Sequence, residues 1–384
     1  MPAAKFCRRL LYCIACAVLL TYGVGGCSDS SAVHTPPDFA LVELPKPDEI
    51  TQRIDAVLDF TVNNRRMRSD RHAAWQVVHG ILAFGDQLPI ENNGEIVPAL
   101  DWLLQGGTLR GWDFQPGEKG LIAKMAPGSK EGQGHPDQWL GYLSQTGLGL
   151  DEELIVRGKT YHIRDLLEQA KWDVQPNMEG TWTLMAFATY LPLDATWVNK
   201  DGETWSIERL LAMEAAHQLP LENNACGGSH RLFAQALAVN RYLAEKNVTP
   251  DQLTGGWKAA NERLQQAKQR IREFQQKDGT FSVQYFIRPG TSAKIDERIS
   301  TTGHQFEVMA TCMTQKELQQ PWVTKACEQL LNMLEGTKEI DLEIGGLYHT
   351  AHGLKIYRQR MAQNLGPQNA AATEAEPPQA NTAK

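Results

Sequence analysis

The stretches "VRGKTYHIRDLLEQA" (residues 156–170) and "VNKDGETWSIERLLAMEAA" (198–216) repeat one pattern, and this repeat predicts the fold. Each begins with Val, passes through a turn that contains Gly158 or Gly202, and then reads aromatic, Ile and a Leu-Leu helix. Alternating residues followed by a 3.6-residue period indicate a small β-hairpin that leads into a helix. We therefore expect repeated helical units with short hairpins in the loops.

Leu-rich helices are predicted at four further places in the chain. They cover residues 47–62, 95–107, 257–276 and 321–336. Each of the six is followed by a second kind of helix, which opens with an aromatic residue or His and is richer in small residues. The anchors of these second helices are Trp75, Trp139, Trp182, His230, His304 and Tyr348. Two helix classes that alternate six times predict an all-α protein of helical hairpins.

Two architectures suit this alternation, an open solenoid and a closed double ring. A closed ring crowds its inner helices, which therefore need Ala and Gly, while the outer helices keep one apolar face. The observed division of residues favours an α6/α6 toroid with small β-hairpins in its loops, spanning residues 47–362. In such a ring the inner helices begin at the same end, so polar residues at their starts are expected to gather around one mouth.

The N-terminus is typical of a bacterial lipoprotein. Basic residues precede a short apolar run, and "VGGC" ends at Cys27, as in a secretory signal with a lipidation site. We predict a signal peptide over 1–26, lipidation of Cys27, a tether over 27–46 and a disordered tail over 363–384. The protein is then expected in the cell envelope, lipid-anchored to a membrane and facing the periplasm or the exterior. An ordinary signal peptide cut near the same place is the alternative.

The charge balance excludes one class of partner. The chain has 45 Asp and Glu against 38 Lys and Arg, a formal charge of −7. Removal of the signal would also remove Lys5, Arg8 and Arg9. A chain of this charge offers no basic surface, so no nucleic-acid partner is expected.

Three cysteines would remain in the mature chain after lipidation of Cys27: Cys226, Cys312 and Cys327. An odd number in an oxidising compartment leaves one thiol unbridged. One hypothesis is a disulfide between Cys312 and Cys327 on neighbouring antiparallel helices, with Cys226 unbridged.

Two segments resemble a known superfamily. "FQQKDGTF" (274–281) resembles the QW-type motif of squalene and terpenoid cyclases, in which Gln, Gly and an aromatic residue tie a helix end to the following turn. "GGLYHTAHGLKIY" (345–357) is similar to inner helices of the terpenoid cyclase and protein prenyltransferase toroids. The resemblance extends over about 50–360 and implies the same α6/α6 toroid.

The catalytic motifs of these families are not found in the sequence. There is no D-x-D-D segment of the cyclase type, and Cys226 follows Asn224 and Ala225 where the prenyltransferase zinc site has D-x-C. Zinc lanthionine cyclases, on a related double ring, commonly have C-H-G. Here His79 and His352 precede Gly, but neither follows Cys. The resemblance therefore implies a fold and a divergent member, without a reaction.

The stretch "NNACGGSHRLFAQALAVNRYL" (223–243) contains the most distinctive helix start. Cys226 and His230 are four residues apart, which on a helix places both side chains on one face. Thiolate and imidazole suit zinc, so Cys226, His230 and His304 are candidate metal ligands, with zinc as the candidate cofactor. A buried helix start that needs small residues is the competing interpretation.

The other candidates are expected around the same mouth. Candidate ligand-binding residues are Cys226, His230, His304, His349, His352, His79, Trp182 and Tyr348. Candidate catalytic residues are His230, His304, His352 and Glu179, because imidazole and carboxylate groups act as acids and bases near neutral pH.

Three functions follow from this arrangement. The first is an envelope lipoprotein whose toroid cavity or mouth binds a small molecule, a glycan or a peptide. The second is a toroid-type enzyme, a lyase, hydrolase or cyclase that uses the His and Cys cluster, with or without zinc. The third is a helical-repeat scaffold for protein interactions. Cys226, His230 and His304 within ligand distance of one another would favour the enzyme.

Overall fold

The computed structural model of the protein describes residues 49–219 and 224–362. The predicted signal peptide, Cys27, the tether and the tail lie outside these ranges. Within them the chain is about 56% helical, with 13 helices and a few short strand pairs. The predicted mostly helical class is therefore confirmed. None of the described helices combines the length and the apolarity needed to cross a membrane.

All six predicted Leu-rich helices are present. They are α1 (Glu49–Asn64), α3 (Ala99–Leu104), α5 (Ile163–Asp173), α7 (Ile207–Ala215), α9 (Gly255–Glu273) and α12 (Pro321–Glu335). A short further helix, α11 (Gln315–Leu318), precedes α12. These helices are amphipathic, and α5 buries Ile163, Leu166, Leu167, Gln169 and Ala170 along one stripe. They therefore pack with one face towards the core and the other towards solvent.

The six helices of the second kind are also present. They are α2 (Ala74–Phe84), α4 (Gln138–Leu143), α6 (Thr181–Tyr190), α8 (Ser229–Lys246), α10 (Ile295–Cys312) and α13 (Ile344–Ala362). Nearly the whole of α6 is buried, with Thr189 its only residue that is not. Burial on all sides explains why these helices contain so many small residues.

The strands are short and form hairpins between helices. They are β1 (Met67–Arg68), β2 (Pro89–Asn92), β3 (Glu95–Pro98), β4 (Phe114–Pro116), β5 (Leu121–Ala123), β6 (Glu153–Val156), β7 (Lys159–His162), β8 (Thr196–Val198) and β9 (Thr204–Ser206). Strands β2–β3, β4–β5, β6–β7 and β8–β9 pair antiparallel, and β1 adds to β2 in parallel. Gly158 and Gly202 have positive φ in the turns of β6–β7 and β8–β9. The two predicted hairpins lead directly into α5 and α7.

Helix α3 begins later than predicted. Residues 95–98 form β3, which pairs with β2, and the helix begins only at Ala99. Ile96 and Val97 favour a strand. Pro98 is the N-cap residue of α3, where the helix does not use the backbone N–H, so the N–H that proline lacks costs no helical hydrogen bond. The segment therefore repeats the hairpin-then-helix pattern of the quoted repeat a third time.

The helices of the second kind contact one another in chain order. Helix α2 packs against α4, α4 against α6, α6 against α8, α8 against α10, and α10 against α13. Helix α13 then packs against α2. Among the Leu-rich helices, α12 contacts α1 in the same way, and Arg53 of α1 forms an ion pair with Glu335 of α12 at 2.8 Å. The last helix of each kind therefore contacts the first helix of the same kind.

The carbonyl ends of these helices receive cationic side chains from their neighbours. Lys355 donates to Ala83 O at the end of α2, and Arg241 donates to Leu191 O just after α6. Arg360 donates in the same way to carbonyls at the end of α10. Positive charge at a helix C-terminus offsets the helix dipole and the unpaired carbonyls.

Glycines allow α10 and α13 to approach closely. A Cβ atom at Gly346 would lie 2.5 Å from the Cβ of Ser300, and one at Gly353 would lie 3.0 Å from the backbone of Glu307. Both distances are shorter than carbon contacts in packed proteins. The close approach brings the polar residues of α10 against those of α13.

The proposed disulfide is absent. Cys312 lies at the end of α10 and Cys327 on α12, and these helices do pack together, but the two sulfurs are not bonded. Helix adjacency alone does not provide the Cβ separation and orientation that a disulfide needs. The hypothesis of a Cys312–Cys327 bridge is therefore wrong for this structure.

The Gln-Gly segment after α9 ties the end of this helix to the following turn and to the next Leu-rich helix. Gln275 donates its side-chain amide to Gly279 O at 3.0 Å and to Trp322 O, at the start of α12, at 2.9 Å. Gly279 has φ 100°, and a Cβ there would lie 2.8 Å from Lys325 O. One glutamine thus joins the end of α9 to the next Leu-rich helix.

Candidate functional site

The N-terminal parts of the six second-kind helices surround one cavity of about 370 Å³. The helix residues at its wall include Trp75, His79, Gln138, Trp182, His230, Ser300, His304, Gly345, Gly346 and His349. A cavity of this size accommodates a small organic molecule. Residues from both ends of the described chain therefore share one candidate site.

Cys226, His230 and His304 meet in this cavity. One sulfur and two imidazole nitrogens lie within 4.8 Å of one another. His230 and His304 are buried, while Cys226 is half-buried. Thiolate and imidazole are ligands that zinc prefers in proteins. The group could therefore bind a metal ion.

Cys226 owes its position to a left-handed turn and not to a helix. Residues 225–228 form a 3-10 segment before α8, and Cys226 has φ 49° and ψ 42°. Gly227 and Gly228 also have positive φ, and the ring of Tyr285 occupies the space where a side chain at Gly227 would lie. The prediction that Cys226 and His230 lie on one face of a helix is therefore wrong, because Cys226 precedes α8. A non-glycine residue with this backbone costs about 1 kcal/mol, and such strain clusters at functional sites.

Two histidines of the cavity have one ring nitrogen fixed by their own helix. Nδ1 of His304 lies 2.7 Å from Ser300 O, and Nδ1 of His79 bonds Trp75 O. Because a carbonyl only accepts, each Nδ1 is the donor, and each Nε2 is left to face other groups. A histidine that binds a metal is commonly oriented by such a hydrogen bond.

Burial and neighbouring charges set the protonation of the cluster. Burial lowers the pKa of His230 and of His79 well below the usual value, and the neighbouring His349 lowers both further. Burial also lowers the pKa of His304, but Cys226 and then Glu307 outweigh it and raise this pKa to about 9. His230 and His79 are thus neutral at neutral pH, and Cys226 is electrostatically linked to His304.

Glu307 is a buried carboxylate that joins two further histidines. It lies three residues after His304 on α10 and is 1% exposed. Its carboxylate accepts hydrogen bonds from Nδ1 of His349 at 3.0 Å and Nδ1 of His352 at 2.6 Å. Burial raises the pKa of Glu307, but His349 and His352 outweigh it, so this pKa lies well below the usual range. Glu307 is therefore an ionised group inside the protein.

His349 stands at the centre of the imidazole cluster. Its ring centroid lies 4.3 Å from that of His304, 4.6 Å from that of His230 and 5.2 Å from that of His79. With Nδ1 bonded to Glu307, its Nε2 lies 3.3 Å from the hydroxyl of Tyr142. His349 thus connects the candidate metal ligands to Glu307.

Aromatic and charged groups surround the outer part of the cavity. The ring of His135 stacks on Trp182 at 4.2 Å, and its Nδ1 bonds Glu179 at 2.7 Å. Besides His304, the charged residues of the wall are Lys130, Asp296, Glu297 and Glu343. The cavity therefore has an aromatic side and an excess of carboxylates.

Most of the candidate residues lie at this cavity, and three do not line it. Cys226, His230, His304, His349, His79 and Trp182 belong to its wall. His352 lies behind it, against Glu307, and Glu179 reaches it only through His135. Tyr348 is fully buried on the other face of α13, edge-on to Phe84.

Sequence reasoning missed Glu307, Tyr142 and Tyr285. A signal for Glu307 was available, because it is the one charged residue in "GHQFEVMATCM" and lies three positions after His304. Tyr142 and Tyr285 had no such signal, since their roles depend on contacts with residues far away in the sequence.

Comparison of the chain with protein-family models, with curated proteins and with solved structures finds no match.

Proposed function

We propose that this protein is a metal-dependent enzyme in which Cys226, His230 and His304 bind zinc within the cavity. The observation that supports this is that their donor atoms lie within 4.8 Å of one another. Ligands of a tetrahedral zinc ion are about 3.3–3.6 Å apart, so small side-chain rotations complete the site. One thiolate and two imidazoles are a donor set typical of zinc.

Three protein ligands favour a catalytic over a structural zinc site. Structural zinc commonly has four protein ligands, whereas catalytic zinc keeps one position for water or substrate. The three candidate ligands all belong to the cavity wall, so that position would face the cavity. When bound, zinc supplies Lewis-acid activation of a substrate oxygen or of water.

His349 is the group placed to move a proton beside this site. Glu307 holds its Nδ1, which fixes the tautomer and leaves Nε2 to accept or donate a proton. Tyr142 lies next to Nε2 and orients it further. Lewis-acid activation combined with proton transfer suits hydrolysis or elimination of a small molecule, so we propose a hydrolase or lyase.

We propose an α6/α6 toroid as the architecture and a divergent relative of the terpenoid cyclase and protein prenyltransferase toroids as the relationship. Two observations support this. The contacts of the second-kind helices return from α13 to α2, and Gln275 links α9 to α12 as a QW-type glutamine would.

We also propose that the protein is lipid-anchored through Cys27 in the cell envelope, facing the periplasm or the exterior. This rests on the sequence of the N-terminus, because these residues lie outside the described ranges. A nucleic-acid partner remains unexpected because of the acidic composition.

The test is the metal content of the purified protein. After exposure to zinc and removal of excess metal, we expect about one zinc per chain in the wild type and much less in Cys226→Ala and His304→Ala. Cys312→Ala is the matched control, because Cys312 lies at the opposite end of α10 from the cavity. Equal, near-zero zinc in the wild type and in Cys226→Ala would exclude the proposal.

A cavity that binds a small molecule, glycan or peptide without chemistry is the second candidate. The stack of His135 on Trp182 favours it, because flat aromatic surfaces suit sugars and other small molecules. Ligand binding in the cavity by protein that takes up no zinc even after exposure to it would support this function over the enzyme. A helical-repeat scaffold is less well supported, because it does not require a cavity in which a thiol and several imidazoles meet.

A further inference from the structure

An ammonium group of the protein itself lies in the outer part of the cavity. Nζ of Lys130 is 5.5 Å from the ring centroid of Trp75 and 3.5 Å from Oε1 of Glu343. Lys130 belongs to the loop between β5 and α4, and its side chain is 67% exposed. An exposed cation thus occupies a position between an aromatic ring and a carboxylate.

The ring and the carboxylate are held more firmly than the lysine. Trp75 passes over Gly345, where a Cβ atom would lie 2.7 Å from the ring. Oε2 of Glu343 accepts the backbone N–H of Gly346 at 2.7 Å, and the backbone N–H of Glu343 donates to Asp296 at 3.0 Å. Trp75 and Glu343 therefore form a prepared receptor for a cation, independent of Lys130.

The charge around this position also favours a cation. Asp296, Glu297 and Glu343 contribute three carboxylates to the wall, against the single ammonium of Lys130. Glu297 is exposed at the start of α10. An aromatic face together with a carboxylate is the usual recognition of an ammonium group.

We propose that Trp75 and Glu343 form a subsite for the ammonium group of an amine substrate, and that Lys130 occupies this subsite until the substrate displaces it. This inference rests on the proposed function, which places the reaction in the same cavity. The subsite adjoins the imidazole cluster. The ring centroid of Trp75 lies 4.1 Å from that of His79, and the ring centroid of His79 lies 5.2 Å from that of His349. The substrate class is thus a small amine whose other end reaches His349.

The test compares two probes of similar size and opposite charge, 2-phenylethylamine and 3-phenylpropionate. Binding is measured by calorimetry at pH 7 with metal-free and zinc-loaded full-length protein. We expect the amine to bind more tightly than the carboxylate. Lys130→Gln should strengthen amine binding about fivefold and Glu343→Gln should weaken it about fivefold, the size of a partly exposed cation–π or ion-pair contact.

The sign of the Lys130→Gln effect decides between cationic and anionic substrates. If Lys130 bound an anionic substrate, its removal would weaken binding of 3-phenylpropionate and leave the amine unchanged, which would overturn the proposal. Lys119→Gln is the matched control, because Lys119 lies 4.7 Å from the ring centroid of Trp172 and not at the cavity. It should leave amine binding unchanged.

The metal content of the same preparations separates this inference from the proposed function. Binding of the amine at Trp75 and Glu343 requires no metal, so metal-free protein should bind it. Zinc in the site without amine binding would overturn the subsite alone. Amine binding with the expected variant effects, but no zinc, would support the subsite and exclude only the metal.

Discussion

Nδ1 of His349 lies 3.0 Å from Oε2 of Glu307 in the buried contact between α13 and α10. This pair links the imidazole cluster to an ionised carboxylate that water does not reach. A buried charge is stable only when it is paired and hydrogen-bonded, and here two imidazoles provide the partners. The pair thus serves both the stability of the helix contact and the orientation of His349.

Replacement of Glu307 tests this pair. Glu307→Gln keeps the size of the side chain but removes its charge and turns one acceptor oxygen into an NH2 donor, so only one of His349 and His352 keeps its acceptor. We expect a loss of about 2–3 kcal/mol in the free energy of unfolding, measured by urea denaturation. Glu95→Gln, on the exposed strand β3, is the control and should change stability little. An equal, small effect of both changes would contradict the role assigned to Glu307.

Close packing of α10 and α13 gives a second prediction. Gly346→Ala places a methyl group 2.5 Å from the Cβ of Ser300, so the helices must separate. We expect a loss of about 1–3 kcal/mol in the free energy of unfolding, together with reduced zinc binding. Gly149→Ala is the control, because a Cβ there meets nothing within 4 Å. Tolerance of Gly346→Ala in both measurements would show that the contact is looser than described.

Asp137 should make stability depend on pH. Burial raises the pKa of this carboxyl from 3.8 to about 6, although its hydrogen bond from Thr183 opposes the shift. The carboxyl of Asp137 has a higher pKa in the folded state than in the unfolded state. Its contribution to stability is therefore complete below about pH 4 and is lost as the pH rises through 6. The loss should not exceed about 3 kcal/mol.

Unfolding of the wild type and of Asp137→Asn between pH 4 and 7.5 measures this contribution. Asn accepts the hydrogen bond of Thr183 and tolerates the left-handed backbone at φ 57°. The wild type should lose stability relative to the variant as the pH rises. If the free energy of unfolding of the wild type and of the variant changed equally with pH, the pH dependence would not come from Asp137.

Anchoring through Cys27 is tested by fractionation. We expect Cys27→Ser to move the protein from the membrane fraction to the soluble fraction, because a cleaved chain without the lipid has no other predicted anchor. Cys312→Ser should remain with the membrane, as a control for loss of a thiol. Unchanged membrane retention of Cys27→Ser would contradict the lipoprotein prediction.

Local patterns in the sequence located the twelve Leu-rich and small-residue helices and the hairpins β6–β7 and β8–β9, but not β2–β3, β4–β5 or α11. The Leu-rich and small-residue helices occur where they are predicted, and Gly158 and Gly202 form the predicted turns. Three starts are shifted: pairing of β3 with β2 takes residues 95–98 from α3, α10 begins at Ile295, nine residues before its anchor His304, and α13 begins at Ile344, four residues before Tyr348. The helices and turns that were predicted depend on residues within a few positions of one another, which is why the sequence reveals them.

The composition of the site was only partly predictable. His230 and His304 stood out as helix anchors, but their meeting with Cys226 depends on a left-handed turn at Cys226. The partner of His349 could not be identified, because Glu307 lies 42 residues away and reaches it through a close helix contact.

The sequence by itself determined the order of helices, their buried faces and the hairpins, since backbone propensity and hydrophobic period are local properties. Only the tertiary structure decided which helix starts share a cavity, that Cys312 and Cys327 are not bonded, and that Lys130 lies between Trp75 and Glu343. These are relations between distant segments, fixed by side-chain packing to within a fraction of an ångström, and no local pattern encodes such distances.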